Sequence, residues 1–279
     1  MKIKIITFKT KLTDFDKKLV SFFILENCKN LQIIEIVGEN LIFQSEFPIS
    51  PRNSSKELLD KLTKIFPDKN IEIVSERDIS LEEWKKMRIK SLTVGKFTFK
   101  PIFEKEEREE NVIYLDTLVG AFGIDNHPTT ILCLEMISNF VNSFKSAVDF
   151  GSGNGILSLS LAKISKSPII AIEVFYNYCL EIKNNCRINN IDNIFIFNTD
   201  CMSFVKEVDI LVANVPLSVF LDKTSGILNS KFNLGIFSGV KKQDKQKFVD
   251  LLENNHIAID QMFEKEGWLG VLVRNNKKK

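Results

Sequence analysis

One stretch of this chain narrows its architecture more than any other: Ser146-Ala147-Val148-Asp149-Phe150-Gly151-Ser152-Gly153-Asn154-Gly155-Ile156-Leu157. It reads as a short apolar strand, three glycines at alternate positions, and the start of an apolar helix. Glycine leaves the backbone bare, so a flat or anionic group can approach the turn and the helix N-terminus. Many α/β folds carry such a turn, and its meaning depends on what flanks it. From about residue 112 strands and helices alternate, with strands expected at 147–150, 169–174, 194–198, 210–214 and 234–237. Helices are expected at 156–166, 175–189 and 241–255. This alternation predicts a Rossmann-like α/β domain whose parallel sheet is covered on both faces. At the end, His256–Phe263, a Glu264-Lys265-Glu266-Gly267 turn and Trp268–Arg274 predict a terminal antiparallel β-hairpin.

The first 75 residues follow another pattern. Residues 2–9 alternate like a half-buried strand, and 14–27 carry Phe15, Leu19, Phe22, Phe23 and Leu25 at near-helical spacing. Leu31–Val37 and Leu41–Phe47 are strand-like runs joined at Gly38-Glu39-Asn40, which has hairpin chemistry. Ser54-Ser55-Lys56-Glu57 offers a capping box for a helix that Pro67 closes, and Asn70–Val74 is a further strand. The order β-α-β-β-α-β is the split βαβ, ferredoxin-like pattern. Residues 1–75 are therefore expected to form a small α+β domain that recognises substrate, 76–111 a connector, and 112–279 the main domain. The connector holds a short helix at Leu81–Met87, a strand at Lys96–Phe103, and the run Glu104–Glu110, read as a solvated loop.

Bulk properties exclude several classes. With 38 basic and 36 acidic residues the net charge is +2, which gives no general pull on nucleic acid or membrane. The Lys277-Lys278-Lys279 tail reads as a solvated terminus. Five scattered cysteines and two histidines lack zinc-ligand spacing, so no metal is expected and the thiols read as reduced. Met1–Ile6 alternates like a strand and not like a leader, and no run reaches the ~18 apolar residues of a membrane span. The expectation is a cytoplasmic monomer without membrane or direct nucleic-acid contact.

Ligands of open parallel sheets bind beyond the carboxyl ends of the strands. Glu173 ends the second strand, 22 residues after Gly151, where a carboxylate can accept from two ribose hydroxyls. The bland alternative is a surface glutamate. The dinucleotide fingerprint needs a small residue at 156, where Ile156 stands. The G-x-G-x-G of Gly151, Gly153 and Gly155 instead suits S-adenosylmethionine, which has no pyrophosphate. Asp149 is a candidate for its amino-acid end, and Asp200 for the adenine amino group, unless Asp200 merely caps a helix. Asn214 closes the fourth strand, where its carbonyl can accept from a target amine and aim the nitrogen lone pair at the methyl carbon. His127, in the turn before Thr129-Thr130, reads as a structural hydrogen-bonder.

Taken together, Ala121-Phe122-Gly123, His127-Pro128-Thr129-Thr130, Leu132-Cys133-Leu134-Glu135, Val148–Leu157, Leu211-Val212-Ala213-Asn214, Phe237-Ser238-Gly239-Val240 with Gln243, and Glu266-Gly267-Trp268 resemble one known family. It is the PrmA family, methyltransferases of large-subunit ribosomal protein L-eleven. The likeness spans about 120–272, and the domain order with a Trp84-Lys85 helix in the connector is also similar. The resemblance implies cofactor contacts at Thr130, Gly151, Glu173 and Asn214. It also implies a ribosomal protein substrate, methylated on lysine side chains and its N-terminal amine and presented by the N-terminal domain. Ile124-Asp125 stands where the family has Thr-Gly, Ser152 where it has cysteine, Glu173 where it has aspartate, and Val174-Phe175-Tyr176 where it continues to Asp-Pro. Val215-Pro216-Leu217 is shorter than the family's usual run after the asparagine. The residues alone leave open another acceptor, protein or small molecule, and a member that binds cofactor without turnover. Ile156 argues against an NAD-linked oxidoreductase.

Overall fold

The computed structural model describes residues 2–11, 19, 22–23, 26, 28, 30–37, 40–49, 54–81, 83–84, 91–102, 112–115 and 127–275. The expected turn at Gly38-Glu39, the charged run Glu104–Glu110, the segment Gly120–Asn126 and the lysine tail lie outside them. The chain forms two compact units, one on residues up to 90 and one on residues from 91 onward.

In the first unit, β1 (Lys2–Thr10), β2 (Asn30–Val37), β3 (Asn40–Pro48) and β4 (Ile71–Ser80) form one sheet, and α1 (Ser55–Ile65) precedes β4. The strand order β2-β3-β1-β4, antiparallel throughout, is that of the split βαβ. Alternation explains it: Ile6 and Phe8 of β1 point with Leu41, Phe43 and Phe47 into a core shared by Leu19, Phe22, Phe23, Leu58 and Leu62. Phe8 and Phe43 stack with centroids 5.2 Å apart. Ser54 and Glu57 form the expected capping box. A smaller cluster joins Ile3, Ile5, Ile79 and Trp84, whose indole N–H donates to the buried Glu46 carboxylate.

The second unit begins with β5 (Leu92–Val94), β6 (Phe97–Pro101) and β7 (Val112–Leu115), a three-stranded sheet. Its main sheet uses β8 (Ala147–Phe150), β9 (Ile169–Glu173), β10 (Ile194–Asn198), β11 (Glu207–Asn214), β12 (Lys231–Lys241), β13 (Ile257–Lys265) and β14 (Trp268–Asn275). The helices are α2 (Pro128–Phe140), α3 (Ile156–Ile164), α4 (Tyr176–Ile188), α5 (Leu217–Leu221) and α6 (Lys245–Asn254). The order β10-β9-β8-β11-β12-β14-β13 is parallel over its first five strands, with β14 antiparallel to both neighbours. Strand order reverses between β8 and β11, which opens a crevice beyond their carboxyl ends. Two apolar cores cover the faces: Leu132, Ile137, Leu157, Leu161 and Ile182 belong to one, and Phe220, Phe237, Phe248 and Leu252 to the other.

Three expectations change. Residues 91–102 and 112–115, expected as connector, carry Val94, Phe97, Phe99, Ile113 and Leu115 into the main domain's own core. The fifth strand runs from Lys231 to Lys241 and not from 234 to 237, with a register shift between Ser238 and Val240. No helix follows Asp200, because β10 returns to β11 through turns alone, so its capping role falls away. Among the described residues no helix is long and apolar enough to cross a membrane.

Candidate functional site

The glycine turn is folded by its own backbone. Gly151 adopts φ +72°, and a Cβ there would lie 2.4 Å from Val215 Cγ1. Gly155 adopts φ +85°, and its Cβ would come within 3.2 Å of Ile182. A side chain at either position is thus opposed by both backbone conformation and space. The Gly151 and Ser152 N–H groups donate to Ile172 O at 2.9 and 3.0 Å, which ties the turn to β9.

Glu173 closes that tie. Its carboxylate accepts from the Gly153 N–H at 2.9 Å and from the Phe175 N–H at 2.9 Å. Burial pushes the pKa of this carboxyl up, and the backbone donors of Phe175, Gly153 and Val174 oppose the shift. Each carboxylate oxygen keeps a second lone pair for a ligand hydroxyl. Asn198 at the end of β10 donates to Glu173 O and Val174 O, both at 2.9 Å, and holds the strand ends level.

Asp149, the candidate for holding the cofactor's amino-acid end, is wholly buried, at 0% exposure. Its Oδ2 accepts from Ser158 Oγ of α3 at 2.6 Å, while Oδ1 has no hydrogen-bond partner among the described residues. Burial raises its pKa to about 6; the Ser158 hydroxyl pulls it back down, and the charge of Glu173 adds to the rise. The physical reason for its orientation is the hydroxyl of Ser158 on an otherwise apolar helix face, the nearest polar partner inside the domain.

Asn214 and Thr130 meet. Asn214 Nδ2 donates to Thr130 Oγ1 at 3.4 Å, which leaves the carbonyl oxygen as an acceptor. Thr130 is held in the first turn of α2, whose N-cap is His127: Nδ1 accepts from the Thr129 N–H at 3.3 Å and lies 2.7 Å from Thr129 Oγ1. His127 also meets Trp268 of the hairpin edge-on at 5.1 Å. Asp200 stands exposed just beyond β10. The ends of β8, β9 and β11 therefore bring Gly151, Gly153, Gly155, Glu173 and Asn214 to one side of the sheet, with Asp149 beneath them.

Ser158 and Asn185 escaped the sequence reading. Asn185 is fully buried in α4 and donates to Asn154 O at 2.9 Å, bracing the turn from outside the sheet. Each is a polar residue on an apolar helix face, and that mismatch is the signal that finds them.

The sequence profile described as ribosomal protein L11 methyltransferase (PrmA) matches residues 35–276. The chain belongs to this family. A ribosomal protein L11 methyltransferase of Dictyoglomus thermophilum is 30% identical over 211 residues, 75% of this chain and 69% of that protein. One from Aquifex aeolicus is 29% identical over 193 residues, 69% of this chain and 74% of that protein. Among solved structures, the ribosomal protein L11 methylase of Lactobacillus delbrueckii subsp. bulgaricus superposes with a TM-score of 0.59 at 25% identity. It covers 66% of this chain and 98% of that one. The family match runs through the glycine turn, Glu173 and Asn214 alike.

Proposed function

We infer that this chain transfers methyl groups from S-adenosylmethionine to amines of ribosomal protein L11, its lysine side chains and N-terminus. The observation that carries the reading is the Glu173 carboxylate bonded to the Gly153 N–H, with the Asn214 amide on the same side of the sheet. These residues fit a sulfonium nucleoside. Two buried carboxylates at the ends of β8 and β9 supply negative charge.

Glu173 would hold the ribose hydroxyls, Gly151, Gly153 and Gly155 would line the nucleoside, and Thr130 and Asn214 would contact the cofactor from α2 and β11. Asp200 would reach the adenine amino group, and Asp149 would act on the amino-acid end from below. When bound, the cofactor supplies a methyl carbon activated by positive sulfur and open to in-line displacement. The protein does the rest by alignment. Thr130 Oγ1 engages the Asn214 amide nitrogen and turns Oδ1 toward the acceptor. That oxygen accepts from the target amine and directs its lone pair at the carbon. Removing the ammonium from water favours its neutral form, so the proton leaves to solvent without a dedicated side-chain base.

Residues 1–75 are assigned to presenting the ribosomal protein, and 112–279, with the strands of 91–102 that pack into the same core, to methyl transfer. The four-stranded sheet supports this assignment, since its described residues hold no cluster of metal-ligating side chains. The same reading places a monomer in the cytoplasm without direct nucleic-acid or membrane contact, in keeping with the net charge of +2. Transfer of a tritiated methyl group to purified L11 tests the reading. Label incorporated by the wild type and lost with Asn214→Ala supports it; a protein that binds cofactor yet labels nothing overturns it.

A further inference from the structure

The first turn of α2 touches two elements of the sheet at once. Thr130 accepts from the Asn214 amide, and His127, the N-cap three residues earlier, meets the Trp268 ring edge-on with centroids 5.1 Å apart. The strand register puts Trp268 at the same end of the sheet as Asn214. Ser238 of β12 pairs with Asn214, and Lys241, three residues further toward the carboxyl end of that strand, pairs with Trp268. Three residues of strand span roughly 10 Å. The face is shared as well: Trp268 packs against the core that holds Leu132 of α2 and Val212 of β11, the side from which Thr130 reaches Asn214.

A cation already rests on this ring. Lys241 Nζ lies over the Trp268 ring, 5.8 Å from its centroid, within the range of cation–π attraction. Its neighbours are committed elsewhere: Lys242 to Glu264 at 2.8 Å, and Lys265 to Glu135 at 3.4 Å. Among the described residues Lys241 itself has no carboxylate partner. The lysine is exposed and the ring half-buried, with its plane set by His127, so the ring stays in place while its cationic occupant can exchange.

We propose that the Trp268 ring face is a docking subsite for the acceptor's ammonium at the mouth of the site, which Lys241 occupies in the free protein and an incoming substrate lysine takes over. The proposal rests on the methyl-transfer reading above. Lys241 and a substrate lysine present the same alkylammonium, so the ring face that holds one suits the other. The two positions divide the work. Trp268 receives the group charged, because the negative face of the indole attracts a cation. Asn214 receives it after the proton has left to solvent, because only a free lone pair attacks the methyl carbon. Trp268 therefore governs how firmly the acceptor is held and not the transfer itself, and Lys241 competes with the acceptor for the ring.

Two measurements on the full chain test it. Tetramethylammonium chloride, titrated against equal concentrations of potassium chloride, reads the ring through tryptophan fluorescence, with Trp84, 2% exposed, as a constant background. The signal should vanish in Trp268→Phe, which assigns it, and its midpoint in Lys241→Ala should fall at least about twofold below wild type. In steady-state methyl transfer to L11, Trp268→Leu should raise the acceptor KM about three- to thirtyfold while kcat changes less than about threefold, the loss of one cation–π contact. Trp268→Phe should recover part of that KM, and Lys241→Ala should lower it about twofold. A purely structural Trp268 would instead lower kcat and leave KM indifferent to Lys241. Equal tetramethylammonium midpoints in wild type and Lys241→Ala, or a KM unmoved in Trp268→Leu, overturn the proposal while the wild type still transfers methyl groups. A wild type that transfers none overturns both this proposal and the functional reading.

Discussion

Asp149 makes a prediction about stability that needs no ligand. Its pKa of about 6 lies above the ordinary 3.8. Below pH 4 the folded and unfolded chains both carry the proton, and the carboxyl costs the fold nothing. Between pH 4 and 6 the unfolded chain has released the proton and the folded one still holds it, so stability falls as pH rises. Above pH 6 both are ionised and the loss is complete. Two pH units correspond to about 3 kcal/mol for a fully buried group. Asp149→Asn cannot titrate, and the titrating groups not coupled to Asp149 are common to the two proteins and cancel. The stability of the variant relative to wild type should therefore rise by about 3 kcal/mol from pH 4 to pH 7. In the melting of the second unit this appears as a shift of about 6–12 °C in the difference between the proteins. Thermal unfolding followed by near-ultraviolet circular dichroism at half-unit pH steps measures it. A difference that stays constant from pH 4 to 7 refutes the reasoning.

Other outcomes follow from the same geometry. Glu173→Ala should weaken S-adenosylhomocysteine binding by about 1–3 kcal/mol through loss of charge-assisted hydrogen bonds, as read by titration calorimetry. Asn214→Ala should lower kcat at least tenfold while the cofactor Kd changes by roughly threefold or less, because the amide orients the amine and is braced by a single 3.4 Å bond to Thr130. Gly151→Ala meets Val215 Cγ1 at 2.4 Å in a left-handed conformation and should cost about 2–4 kcal/mol in denaturant unfolding. Adding Val215→Ala should recover part of that loss but not the backbone contribution.

The parts of the fold visible in the sequence are those with a strong local period. Alternation along β1 foretold a strand, though not one buried on both faces, with Ile3 and Ile5 in one core and Ile6 and Phe8 in the other. The short run of β8, apolar but for Asp149, foretold burial on both faces. The terminal hairpin was legible from its turn. β12 was underestimated because Gly235, Ser238 and Gly239 interrupt its apolar pattern, and the register shift there absorbs them. β5 and β7 were missed because three or four residues are too few to show a period. Spacing placed Glu173, Asn214 and Thr130 correctly at the strand ends and helix start. It could not tell which way the Asp149 carboxylate turns, since that depends on Ser158, nine positions later and on another element.

β14 is inserted between β12 and β13, and Ser238, the residue paired with Asn214 across the neighbouring strand, donates to Leu269 O of β14 at 2.7 Å. The strand beside the reactive amide is therefore braced by residues translated long after it. Every candidate cofactor-facing group stands on the five parallel strands, the turns after them or α2, and β14 closes their edge at β12. Leu269, Val271 and Leu272 arrive to fill both cores at once.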